Sequence, residues 1–154
     1  MVNVTKDGDI DIMGIIRFLQ SFTGTGTFCC IEDVHSVHCS SAKSNFQFGL
    51  SLGIVQALAI DYVSHYEKVS PLVWQTAMFE GIELIEKFDK KKKKYKRDTK
   101  AMAAEAFKKI FPDYIDRFMT TVKGNKSKNL HDGLVDAALI AEYYRRELNR
   151  GVGK

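Results

Sequence analysis

The sequence predicts an α/β fold, with a small central mixed sheet flanked by helices. Three observations predict it. Short apolar and β-branched runs alternate with longer segments at helical spacing. Their order is strand, helix, strand, helix, strand and then helices. The length of 154 residues suits one domain, 1–154, with room for a real core.

The elements follow in chain order. "MVNV" reads as a short strand ended by the turn-like "KDGD". "IDIMGIIRFLQSF" spaces Ile12, Ile15, Ile16, Leu19 and Phe22 as a helix does, opened by Asp9 or Asp11 and broken by "TGTGT". "FCCIEDV" (28–34) reads as a buried strand ended by Glu32 and Asp33. The polar "HSVHCSSAKSN" follows as a loop. Residues 46–66 are long, mostly apolar and free of proline, which predicts a largely buried helix. "EKVSP" (67–71) reads as a second short strand and "LVWQTAMF" as a short helix. The lysine run reads as a loop or helix start. Residues 98–111 are strongly helical, capped by Asp98 or Thr99 and limited by Pro112. "YIDRFMTTV" reads as another helical turn, "KGNKSKN" as a polar loop, and 131–149 as the final helix.

Charge is uneven. The formal net charge is +4, yet residues 87–100, "KFDKKKKKYKRDTK", carry nine Lys or Arg against two Asp. Such a segment suits a polyanion, nucleic acid ahead of acidic lipid, although a solvated lysine loop has the same composition. Three cysteines, Cys29, Cys30 and Cys39, are odd in number and do not suggest a disulfide framework. A reducing interior is expected. "MVNVTKDGDIDI" lacks the apolar core of a signal peptide, and no window approaches 18 uncharged apolar residues, so no membrane partner is expected.

Acidic residues carry the chemistry. Asp132 and Asp136 lie four apart on the last helix and share one face. They fall in its first turns, where the macrodipole favours ionised carboxylates. Alone, each is more simply a solvated or helix-starting aspartate. A carboxylate at the end of an apolar strand is costly to bury unless paired or metal-bound, which brings in Glu32 or Asp33. These two point to opposite sheet faces, and periodicity does not choose between them. Hard divalent cations take such oxygen ligands, and two-metal phosphoryl chemistry uses several carboxylates. His35, His38 and Cys39 lie within five residues, but with no second cluster they match no structural zinc pattern.

"CCIEDVHS", "SNFQFGLSLGIVQALA", "KVSPLVWQ", "DTKAMAAEAFKKIFP" and "HDGLVDAALIAEYYRR" occur in one order. Together they resemble the RuvC-type Holliday junction resolvases, in particular a phage-associated branch, over residues 1 to about 149. The resemblance implies an RNase H-like fold, a homodimer, and Mg²⁺-dependent (with Mn²⁺ as the alternative) hydrolysis of phosphodiesters in four-way or branched DNA. It implies a cytoplasmic location, in a bacterium or a phage-infected host. The family's strand glutamate matches Glu32 and its C-terminal helix pair matches Asp132 and Asp136. The familiar spacing of that pair is three, and here it is four. His131 matches a histidine used near this helix start by some members. The family opens with a hairpin carrying its first catalytic aspartate in an Asp-x-Gly context. This chain has no such strand, and Met1 falls where the third strand should lie. The expectation is therefore an RNase H-like fold with its N-terminal strands missing, either truncated at the N-terminus or a natural short form, and impaired in cleavage. Asp7, Asp9 and Asp11 are not promoted to fill that role.

Under this resemblance, Lys100 and Lys96 are candidates to stabilise charge at the scissile phosphate, with Lys100 counted as catalytic. Lys93, Lys94, Lys96, Arg97 and Lys100 would bind phosphates without reading sequence. Lys43, Ser44 and Asn45 would contact backbone from the loop after Glu32, and Phe46 or Phe48 would wedge against bases. Helix 46–66, with Gly49 and Gly53 at i and i+4, would form the dimer interface. Three rivals stand beside this reading: another RNase H-like nuclease, a branched-DNA-binding module that does not cut, and a lysine-rich interaction protein with no junction preference.

Overall fold

The computed structural model describes residues 10–22, 26–34, 41–121 and 128–151. The chain divides into two compact units, Met1–Ser70 and Pro71–Lys154. The expected strand "MVNV" lies outside the described residues, as do His35, His38 and Cys39.

The first unit begins with α1, Ile12–Gln20. Asp11, rather than Asp9, caps it: its Oδ1 accepts from the Gly14 amide at 2.8 Å. A Cβ at Gly14 would crowd the Asp11 carboxylate, so a larger residue there would make that side chain shift. Strand β1, Phe28–Glu32, pairs in parallel with β2, His65–Val69. The register sets Cys30 beside Glu67 and Glu32 beside Val69. Helix α2, Ala42–Tyr62, makes the crossover between them, capped by the Ser41 hydroxyl, which accepts from the Ser44 amide at 3.1 Å. This is a β-α-β unit, the connection that parallel strands require.

Three expectations for this unit need correction. Helix α2 starts and ends four residues before the expected 46–66. Lys43, Ser44 and Asn45 therefore occupy its first turn and not a loop, while His65 and Tyr66 belong to β2. Neither β1 nor α2 is deeply buried: β1 is half-buried at best, and Ala59 is the buried residue of α2. The reason is size. Five-residue strands span about 17 Å, whereas a helix of 21 residues runs about 31 Å. Two such strands cannot cover it, and Phe46, Leu50 and Ile60 stay exposed.

The second unit contains α3, Pro71–Met78, then a hairpin of β3, Glu86–Asp89, and β4, Lys94–Arg97. Helix α4, Thr99–Ile110, leads into a 3₁₀ segment, Pro112–Phe118. Strands β5, Met119–Thr121, and β6, Lys128–Leu130, pair antiparallel and deliver the chain to α5, Asp132–Gly151. Helices α3, α4 and α5 pack on one another. Met102, Ala103, Ala106 and Phe107 form the inner stripe of α4, and Val135, Leu139, Ile140 and Tyr144 that of α5. Trp74, Phe107 and Leu139 are the largest side chains fully enclosed. Phe107 stacks near Phe118, with ring centres 4.5 Å apart, which ties the 3₁₀ segment to α4.

The α/β class is as expected, with small sheets flanked by helices. Among the described residues, however, the strands form three two-stranded sheets, one parallel and two antiparallel, and not one central mixed sheet. The lysine run also departs from its expected loop or helix start: most of it is the β3–β4 hairpin.

Candidate functional site

The N-terminal end of α5 gathers the most chemistry in the second unit. Leu130 closes β6, and the His131 amide donates to the Phe118 carbonyl at 2.9 Å. That bond anchors the chain just before the helix starts. The His131 carbonyl then accepts from Leu134 and Val135, and its ring Nδ1 accepts from the Leu134 amide at 3.3 Å. His131 is thus the helix cap, its ring nitrogen taking the place of the usual side-chain oxygen. At this nitrogen the imidazole serves the helix start.

Asp132 follows in the first turn and Asp136 one turn later. Lys100, from the first turn of α4, donates from Nζ to Asp132 Oδ2 at 2.6 Å. Both partners are more than half exposed, so the pair is screened. The Lys100 ammonium is raised above the usual lysine range, first by the Asp132 hydrogen bond and charge and then by Asp136 and Asp98. Asp98 caps α4 through the Ala101 amide and accepts from Lys87 Nζ at 2.9 Å. That hydrogen bond to Lys87 is the main reason its carboxyl lies below the usual range. Lysines and aspartates therefore alternate from β3 through the start of α4 to α5.

Glu32 closes β1 in the first unit, half-buried and paired in register with Val69. Its neighbour Asp33 pairs with Lys68 at 3.6 Å. Lys43, Ser44, Asn45 and Phe46 sit together in the first turns of α2, with Phe46 69% exposed. The expected wedge residue is thus accessible.

The expected phosphate contacts divide. Lys93 and Lys94 lie in and beside the hairpin turn, with no side-chain ion pair among the described residues. Lys96 donates to Asp89 at 2.8 Å, and Lys100 is engaged by Asp132. The Arg97 guanidinium lies 5.1 Å over the Phe79 ring, and its Nε reaches Met102 Sδ at 3.2 Å. Arg97 therefore fastens the hairpin to the core while remaining exposed.

Two features escaped the sequence reading. One is the cross-strand aromatic pair Phe88 and Tyr95, whose signal was an aromatic on either side of the lysine turn. The other is Glu142 on α5, buried beside a cavity of about 470 Å³ that Ala106 and Arg146 also line. Arg145 binds it through two nitrogens, at 2.7 and 2.9 Å, and Arg146 through one, at 2.8 Å. Those bonds, Arg145 first, keep its carboxyl below the usual range.

Among the described residues, no group of three or more His, Cys, Asp or Glu is gathered as a metal ion would require. Asp132 and Asp136 are nonetheless hard oxygen donors of the kind Mg²⁺ takes. Mg²⁺ typically binds through one or two carboxylates and keeps waters and substrate oxygens. Asp132 Oδ2 carries the Lys100 ammonium, which a metal ion at that oxygen would have to displace. By donor type alone, two carboxylates match what a single Mg²⁺ takes from a protein. Among the described residues, no helix is long and apolar enough to cross a membrane. The chain matches no family model, and no curated protein compared with it is significantly similar.

Proposed function

We propose that this chain is a structure-selective endonuclease of the RuvC type, acting on four-way DNA junctions by Mg²⁺-dependent phosphodiester hydrolysis. The observation that carries the reading is the Lys100–Asp132 contact, with Asp136 one turn further along α5. Lysine and paired carboxylates at adjoining helix starts are the groups a phosphoryl-transfer site needs.

Asp132 and Asp136 would hold the Mg²⁺, which when bound supplies an activated water and stabilises the departing 3′-oxygen. Lys100 exchanges its carboxylate partner for a phosphate oxygen and offsets negative charge in the transition state. His131 sets the first turn of α5 and so aims both aspartates. The lysine hairpin attracts the DNA backbone without regard to sequence. Glu32, which the resemblance assigns to the same ligand set, is probed by Glu32→Gln. A homodimer through α2 would bring two sites to a two-fold junction, and the open space around Gly49 and Gly53 supports close helix approach there.

Cleavage assays on labelled four-way junctions, flaps, RNA–DNA hybrids and linear duplex test the reading. Mg²⁺-dependent cutting of junctions, lost in Asp136→Asn, supports it; cutting of hybrids alone moves the assignment to another RNase H-like nuclease. A second reading, a branched-DNA-binding module that does not cut, is favoured by the lysine-rich β3–β4 hairpin, which can hold phosphates without any chemistry. Tight junction binding without cleavage, unchanged in Glu32→Gln, would establish it.

A further inference from the structure

The β3–β4 hairpin carries two different surfaces. Residues 86–97 hold eight basic and two acidic side chains. Lys87, Asp89, Lys94 and Lys96 share one face by register, and Glu86, Phe88, Tyr95 and Arg97 share the other. On the second face Phe88 and Tyr95 stand directly opposite each other, edge to face, with ring centres 5.3 Å apart. They are 51% and 67% exposed. The base of the ribbon is fixed: Arg97 lies over Phe79, Lys87 binds Asp98, and the Asp98 amide donates to the Ile85 carbonyl at 2.7 Å. The tip is Lys90–Lys93, whose side chains make no ion pair among the described residues.

A cross-strand aromatic pair does stabilise a ribbon. That role alone would be served by any apolar pair, and it leaves two ring surfaces in water beside a dense positive charge. Charge complementarity selects a polyanion, and the exposed rings select one with flat apolar faces. Nucleic acid with unstacked bases has both properties; an acidic lipid surface offers charge and an apolar interior but no flat stacking faces, and an acidic peptide need supply only the charge.

We propose that this hairpin is a single-strand-binding ribbon, on which Lys90–Lys93 hold DNA phosphates and the Phe88–Tyr95 pair stacks on unpaired bases at a branch point. The branch-point part rests on the junction reading above; binding to unpaired bases does not.

Fluorescence anisotropy of the full chain, with a labelled single-stranded oligonucleotide, a linear duplex and a four-way junction, tests this. The double variant Phe88→Leu/Tyr95→Leu keeps an apolar cross-strand pair and removes the rings. It should lose roughly tenfold or more in affinity for single strand and junction while keeping the salt dependence. Replacing Lys90–Lys93 with serine should flatten the salt dependence instead. Unchanged single-strand affinity in the leucine variant overturns the proposal, as does wild-type binding to anionic vesicles with none to DNA. Wild-type binding to single strands with no junction preference would sink the junction reading and leave the ribbon standing. Should the leucine variant lose its circular-dichroism melt, 2-aminopurine in the bound strand decides with wild type alone. Stacking quenches it, and unaltered emission on binding overturns the proposal.

Discussion

Lys100 on α4 and Asp132 on α5, 32 positions apart in sequence, meet at 2.6 Å. An exposed pair of this kind contributes under about 1 kcal/mol. Lys100→Met should therefore leave the denaturation midpoint almost unmoved while lowering junction cleavage by about 10²-fold. A large stability loss with unchanged cleavage would mark the pair as structural. Because Asp132 raises the Lys100 pKa, the contribution of the pair to stability is complete below the ordinary lysine value. It disappears as the pH rises through the raised one.

His131 should behave as a cap. His131→Ala removes the acceptor for the Leu134 amide and should cost about 1 kcal/mol in urea unfolding. His131→Asn or His131→Ser restores an acceptor and should recover most of it. If cleavage follows stability across the three variants, His131 acts through the helix start; a cleavage loss in a variant of normal stability assigns it a chemical role.

Asp89 shapes the hairpin turn. Its Oδ1 accepts from the Lys91 and Lys92 amides, and its Oδ2 from Lys96. Lys96 first, with the Lys92 and Lys91 amides, lowers the carboxyl to about 2. The turn should be intact above the ordinary aspartate value and open as the pH falls through about 2. Amide exchange at Lys91 and Lys92 across acidic pH reads this directly. Asp89→Asn keeps a carbonyl acceptor and should retain the turn without the pH dependence.

Glu142 offers a second acid-sensitive point. Glu142→Gln trades charged for neutral hydrogen bonds to Arg145 and Arg146, both partly exposed, and should cost about 1 kcal/mol. Since its folded-state pKa is lowered, the difference from wild type should be full above the ordinary glutamate value. It should vanish as the pH falls through the lowered one. Denaturant melts at neutral and acidic pH provide the comparison.

Phe107 is fully buried against Phe111 and Phe118. Phe107→Ala should cost about 3–5 kcal/mol by chemical denaturation and release the 3₁₀ segment that leads to β5. A cost below about 1 kcal/mol would mean that the site collapses without a cavity.

Local signals made α1, α4 and α5 legible. Asp11 and Asp98 cap as their residue type suggests, and the apolar stripes sit at helical spacing. The boundaries of α2 were harder, since its first turn is polar and its end is set by the pairing of His65 and Tyr66 with distant Phe28 and Cys29. The hairpin was hidden for another reason. Its turn lacks the Asn or Gly that marks such turns, and Lys93 takes the left-handed conformation, φ 49°, in their place. Of the site, the Asp132–Asp136 face was readable from spacing. The Lys100 partnership was not, because sequence distance carries no information about which lysine meets which aspartate.

Asp98 stands at a crossing of three structures: it caps α4, binds Lys87 of β3, and closes the Ile85 carbonyl through its own amide. The ribbon is thereby riveted to the helix that bears Lys100. A load applied to the lysine tip reaches α4 through Asp98 and through Arg97, which meets Met102, so the reach of the ribbon and the attitude of α4 are mechanically coupled.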